Sequence, residues 1–339
     1  MGRKVSDLFP DPFAERSAVP VARRIHLLGA QFHFQSEHAG LLRLVDRAYA
    51  NLPRYRLARS EPTLRLRLQL TSAQRKASQA APPALGMLSG AGLLAGATDG
   101  STFAILSPAQ RAGLVAVAPR MLGFPYHTRY ELIEFAVFTL AARVQGLVAL
   151  HGACVGRRGR GVLLMGPSGA GKSTVTLQSL LEGLEFLSED SVFVTPDTLL
   201  AAGVPNFLHV RADSLRWVNG KQAAVIRRSE VIRRRSGVRK YELDLRGHGY
   251  NLATSALKVC AVVFLSPRSA MGQPLLTRLG TSGALRRLAH EQAYAANQPS
   301  WRVFARSIAR LPFFELQRGQ HPRDSVAVLR AILEDTRGP

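Results

Sequence analysis

Leu64, Leu66, Leu68 and Leu70 alternate with Arg65, Arg67 and Gln69. That period of two predicts a half-buried strand. Residues 28–34 repeat the pattern, with Leu28, Ala30, Phe32 and Phe34 on one side and Gly29, Gln31 and His33 on the other. Between these runs Leu41, Leu42, Val45 and Tyr49 recur at helical spacing, with Ser36 placed to cap the helix and Pro53 to close it. Residues 71–101 are rich in Ala, Gly, Ser and Pro and predict a long loop. Residues 102–106 and 113–117 are short strands, paired as a hairpin. Helical period returns over 128–145, where Leu132, Ile133, Ala136, Val137, Leu140, Ala141 and Val144 make one apolar stripe.

Beyond this point the pattern becomes α/β. Residues 147–150 are apolar, 161–165 form a short buried strand, 171–181 a helix, and 186–194 an apolar run with an acidic pair at its centre. Residues 257–265 (LKVCAVVFL) give the strongest buried-strand signal of the chain. A helix at 282–294, a strand near 313–316 and a last helix at 324–333, with Asp324 as its cap, complete the reading. The organisation expected is a loose arm at 1–20, an N-terminal α+β region at 21–124 containing the 71–101 loop, and an α/β domain at 125–339.

Composition refines this picture. The chain of 339 residues carries 45 Lys+Arg against 23 Asp+Glu, a net charge of +22. Such a balance suits acidic or phosphorylated partners. Only six of the basic residues are lysine, and an arginine skew spread along the whole chain is what GC-rich coding gives without any nucleic-acid partner. No aromatic residues cluster with the arginines, which argues against a nucleic-acid site. No apolar run approaches the ~20 residues of a membrane helix, and the N-terminus lacks the apolar segment of a secretory signal. Cys154 and Cys260, both in strand-like apolar runs, read as buried thiols of a reducing compartment. These features point to the cytoplasm and away from membranes.

The most informative stretch is 166–173, Gly-Pro-Ser-Gly-Ala-Gly-Lys-Ser, which satisfies G-x-x-x-x-G-K-[ST] completely. Gly166, Gly169 and Gly171 let backbone N–H groups turn inward around phosphate oxygens, with Pro167, Ser168 and Ala170 between them. The helix that follows adds its unpaired N–H groups and positive dipole end. Lys172 can reach the β- and γ-phosphates, Ser173 offers a hydroxyl to Mg²⁺, and Thr174 extends the cradle. A strand precedes the loop and a helix follows it, as the motif requires. Glu189 and Asp190 put adjacent carboxylates one crossover helix further on, where one can hold Mg²⁺ and the other accept a proton from an attacking hydroxyl.

Together, His151-Gly152, the basic turn at 157–160, the loop at 166–173 and Glu189-Asp190 resemble the catalytic domain of HPr kinase/phosphorylase, and still more the broad group of HPr-kinase-related proteins. The resemblance covers residues 125–265 well. It implies an α/β fold with a phosphoenolpyruvate-carboxykinase-like P-loop core and a smaller N-terminal α+β region. It implies ATP and Mg²⁺, and transfer of the γ-phosphoryl group to a serine hydroxyl of a peptide or small protein, precursor peptides included. By carry-over, Lys172 binds phosphates, Ser173 and Asp190 hold the metal, Glu189 is the base, and His151 lies near the phosphates. A homo-oligomer is compatible with it.

The sequence departs from the family in three places. Glu189 replaces an aspartate. His209 stands at the position of a metal-binding glutamate in a Glu-x-Arg-Gly signature, with Arg211 retained and no glycine after it. The signature around a later catalytic arginine is not recoverable; the region 233–241 (RRRSGVRKY) supplies candidates, with Arg239 and Lys240 just before a strand. Phosphorylase activity and HPr as substrate are therefore not expected. Two other functions stay open: an ATP-binding switch without transferase activity, and, on charge alone, a nucleic-acid-dependent ATPase. The seven basic residues of 227–240 are placed to meet an acidic substrate or to form a solvated basic loop.

Overall fold

The computed structural model describes residues 20–72, 82–247 and 249–335. The chain divides into two compact units, each considered by itself. Phe32–Arg47 and Arg65–Ala136 belong to the first, and Ile25–Gln31, Ala48–Leu64 and the chain from Val137 onward to the second.

Of the alternating leucines of Thr63–Leu70, Leu64, Leu66 and Leu68 are buried and Leu70 half-buried, and the residues between them are exposed. Seven strands make this sheet, in the order Val21–Leu27, Ala30–Ser36, Thr63–Leu70, Ala112–Val117, Thr102–Ser107, Leu93–Asp99, Gly86–Gly90. Two sequence expectations are corrected. The strand expected at 28–34 begins only at Ala30, because Leu28 and Gly29 both take positive φ and turn the chain into a hairpin with Val21–Leu27. Much of the loop expected at 71–101 is also a hairpin, Gly86–Gly90 against Leu93–Asp99, closed by Ala91 and Gly92 at φ 49° and 74°. Its small side chains carry no period-two signal, so the ladder was invisible to hydropathy. Residues 73–81 of that loop, and residues 1–19 of the arm, lie outside the described residues.

The apolar stripe of 128–145 becomes a π-helical turn at Thr128–Ile133 running into the α-helix Glu134–Gln145. The second unit is built on a mixed nine-stranded sheet. Arg160–Met165 lies at its centre, antiparallel to Ala153–Arg157 and parallel to Leu257–Ser269, which in turn runs parallel to Phe313–Arg318. Glu185–Ser188 pairs antiparallel with the far side of Ala153–Arg157 and so runs in the same direction as Arg160–Met165. The helix Lys172–Leu181 makes this crossover.

That helix is packed on two sides. Val175 joins Val155, Val162, Leu164, Val263 and Leu329 in the core of the large sheet. Leu177 and Leu180 join Leu208, Val210, Ile226 and Leu243. The latter cluster backs a second, three-stranded sheet: Phe207–Val210, Arg239–Asp244 and Glu230–Arg233, in that order. The last helix, Pro322–Glu334, starts with a capping box. His321 is its N-cap, and Asp324, expected as the cap, is the reciprocal partner three residues on, accepting from the His321 N–H at 2.9 Å. Cys154 and Cys260 are free thiols, the first buried and the second half-buried, and burial raises the pKa of each. Among the described residues no helix is long and apolar enough to cross a membrane.

Candidate active site

The two strands joined by the crossover end on the same side of the sheet, and each ends in a loop rich in chemistry. Arg160–Met165 runs into the glycine-rich loop; Glu185–Ser188 runs into the turn holding Glu189 and Asp190. The strand register brings the two ends together, since Leu164 opposes Ala153, Ser188 opposes Cys154 and Ser191 opposes His151. The N–H of Gly152 donates to the carbonyl of Asp190 at 3.2 Å. A Cβ on Gly152 would lie 2.8 Å from Met165 Sδ and 2.9 Å from Leu164 O, so the residue after His151 has to be glycine for the strands to close at this end.

Gly166, Gly169 and Gly171 hold φ values of 137°, 83° and 105°. At Gly166 a Cβ would also meet the carbonyl of Leu265 at 2.8 Å. Gly166→Ala is expected to cost about 1–3 kcal/mol through strain and this clash. Thermal unfolding checks it, and a variant as stable as the parent would show that the loop relaxes. Lys172 is buried, and its Nζ donates to the carbonyls of Gly166 at 2.6 Å and Pro167 at 3.3 Å. Burial pulls its pKa below the usual lysine range, with Lys240 acting in the same sense; Asp190, Glu291 and Glu189 are close enough to oppose the shift. Ser173 is half-buried, and Thr174 Oγ1 lies 3.1 Å from Ser214 Oγ. Arg318 Nη2 donates to the Gly169 carbonyl at 2.8 Å.

The two acidic residues face different surroundings. Asp190 is partly exposed, with His151 Nδ1 3.4 Å from one carboxylate oxygen and Arg234 Nη2 3.6 Å from the other. Glu189 is buried. Its Oε1 accepts from the backbone N–H of His209 at 3.0 Å and lies 2.8 Å from His209 Nδ1, while Oε2 is buried and has no hydrogen-bond partner among the described residues. On the other side of the imidazole, Nε2 lies 3.3 Å from Glu242 Oε1. Burial of His209 and the nearby Arg234 oppose its charge, but hydrogen bonds to the two carboxylates outweigh them and raise its pKa. Both ring nitrogens of His209 are engaged: Nδ1 faces Glu189 Oε1 and lies 3.3 Å from Arg234 Nη2, and Nε2 faces Glu242.

Three neighbours of these residues gave no sequence signal. Gln292 grips the backbone of His151 from both sides, accepting from its N–H at 2.8 Å and donating to its carbonyl at 2.9 Å. Glu242 and Arg318 were hidden because they arrive from strands distant in sequence, whereas Arg234 belongs to the basic stretch 227–240 that the sequence had singled out. Arg211 makes an exposed ion pair with Asp213 at 3.2 Å.

The donor set suits a hard cation. A Ser173 hydroxyl and an Asp190 carboxylate are oxygen ligands of the kind Mg²⁺ takes together with phosphate oxygens and water. Among the described residues no group of three or more His, Cys, Asp or Glu side chains is arranged to hold a metal without such help.

No family model matches the chain. No curated protein matches it. Among solved structures, the Hpr(Ser) kinase/phosphatase from Coxiella burnetii matches with a TM-score of 0.28 and 12% identity, over 56% of this chain and 90% of that one. A likeness of that size decides nothing about chemistry, which rests on the geometry above.

Proposed function

We propose that the chain is an ATP-dependent serine kinase of the HPr-kinase-related type, with a phosphoenolpyruvate-carboxykinase-like core. It transfers the γ-phosphoryl group to a serine of a peptide or small protein in the cytoplasm. The observation that carries the reading is the turn 189–190 lying at the same strand ends as the loop 166–173, with Glu189 Oε2 left without a hydrogen-bond partner among the described residues. Lys172 and the loop N–H groups would hold the phosphates, and Ser173 and Asp190 would hold Mg²⁺, which would neutralise charge on the phosphate oxygens. In this reading Glu189 turns its buried Oε2 toward the incoming acceptor and takes the serine hydroxyl proton as the serine oxygen bonds to the γ-phosphorus. The bond from that phosphorus to the bridging oxygen breaks, and ADP carries the electron pair away. His151, fixed by Gln292, orients Asp190.

One observation favours a second reading, an ATP-binding switch without transfer: Glu189 Oε1 is already committed to His209. Transfer of γ-labelled phosphate from Mg·ATP to serine-containing peptides separates the two. Labelled phosphoserine is expected with the parent chain and none with Lys172→Ala. Tight ATP binding with no labelled product, across a peptide library, would favour the switch.

A further inference from the structure

The hairpin made by Glu230–Arg233 and Arg239–Asp244 has two unlike faces. Its register pairs Ile232 with Lys240 and Glu230 with Glu242, and on the other face Val231 with Tyr241 and Arg233 with Arg239. The first face belongs to the active site. Glu242 meets His209 there, and Lys240 lies near enough to Lys172 to lower its pKa. The hairpin turn reaches the site too, through Arg234 beside Asp190.

The outer border of the hairpin is open. Among the described residues Glu230–Arg233 is the edge strand of its sheet. Arg234 N donates to Val238 O at 2.9 Å, and alternation along an antiparallel ladder then turns the N–H and C=O groups of Val231 and Arg233 outward. Residues 227–240 hold seven basic side chains and one acidic one, with no aromatic residue. Arg227, Arg228, Arg233 and Arg239 are exposed, as are Val231 at 43% and Val238 at 36%. An unpaired edge lined with arginines, without aromatic rings for base stacking, complements an extended acidic polypeptide better than a nucleic acid.

We propose that this hairpin docks the acceptor. An acidic peptide segment adds its backbone to the open edge of Glu230–Arg233 and sets its carboxylates against Arg227, Arg228 and Arg233, bringing a neighbouring serine to the 189–190 turn. The proposal rests on the kinase reading, but docking and transfer are measured separately.

The test uses the full chain and a fluorescein-labelled peptide of about a dozen residues, Glu-rich around one Ser, with a Gln-for-Glu counterpart. Anisotropy is read at physiological salt. Peptide binding is expected to weaken about tenfold or more in R227E/R228E/R233E, with ATP affinity unchanged. It should stay near parental in R302E/R306E/R310E, which reverses three exposed arginines on and just past the helix Trp301–Ile308. The Gln peptide should bind far less well. Equal losses in both triple variants would reduce the effect to overall charge and overturn the proposal, as would no loss in either. A single-stranded oligonucleotide of equal charge that outcompetes the peptide, and is itself weakened by the hairpin variant, would assign the edge to nucleic acid instead. Binding that follows the hairpin charges without phosphate transfer would keep the docking surface and remove the kinase. Transfer that ignores those charges would do the reverse.

Discussion

Glu189→Gln is expected to bind ATP about as tightly as the parent chain and to transfer its γ-phosphate about 10²–10⁴-fold more slowly, the usual contribution of a positioned general base. Glutamine keeps the shape of Glu189. Its amide oxygen can accept from the His209 N–H as Oε1 does now at 3.0 Å. What disappears is the basicity of Oε2, the one carboxylate oxygen of this residue without a hydrogen-bond partner among the described residues. The loop at 166–173 is untouched, so nucleotide affinity is the internal control. Lys172→Ala should show the opposite balance. Removing the amine that now bonds the Gly166 and Pro167 carbonyls takes away the only lysine of the loop, so ATP affinity and transfer fall together. Titration of a fluorescent ATP analogue and single-turnover transfer give the two quantities. A Glu189→Gln variant that transfers within a few-fold of the parent would remove Glu189 from the chemistry and leave Asp190 as the acidic residue to test.

The residues that were legible in the sequence share one property: their chemistry is local. The motif at 166–173 needs glycines at three fixed offsets, a strand before and a helix after, and all of that lies within one continuous stretch. Thr63–Leu70 and Leu257–Ser269 were legible for a similar reason, because each strand carries its own burial pattern. The hairpin at 86–99 was not. Its strands are held by ladder pairing and by the positive φ of Ala91 and Gly92, and neither leaves a mark in hydropathy. The same holds at residues 28–29, where one expected strand became a turn and a strand.

Within the candidate site the division falls between first partners and their supports. Lys172, Ser173, Glu189, Asp190 and His151 could be named from the chain alone. Gln292 and Glu242 could not, since nothing in a glutamine after a helix or a glutamate in a hairpin announces which histidine it will meet. His209 was visible only as an anomaly, a histidine where the resemblance called for glutamate. A carboxylate at 209 would face Glu189 and Glu242 as a third buried acidic group, whereas an imidazole sits between the two with a ring nitrogen toward each.

That joint leads to the largest stability effect expected in this unit. His209, Glu189 and Glu242 have side-chain exposures of 5%, 5% and 0%, so their charges are compensated by one another and by Arg234 rather than by water. His209→Leu is expected to destabilise the chain by about 3–5 kcal/mol, because it leaves two carboxylates buried without the cation between them. Chemical denaturation measures this directly. A change below about 1 kcal/mol, the scale of an exposed pair, would mean that the cluster is hydrated and that the imidazole is not a buried cation. The pH dependence supplies an independent reading. The pKa of His209 is raised above its ordinary 6.5, so its ionic contribution is fully present below that pH and is lost as pH climbs through the higher folded value. The parent should therefore lose stability across that interval on the alkaline side of 6.5, and His209→Leu should lose none of it there. Glu242→Gln should retain the fall at reduced size, since Glu189 alone would then hold the proton on the ring.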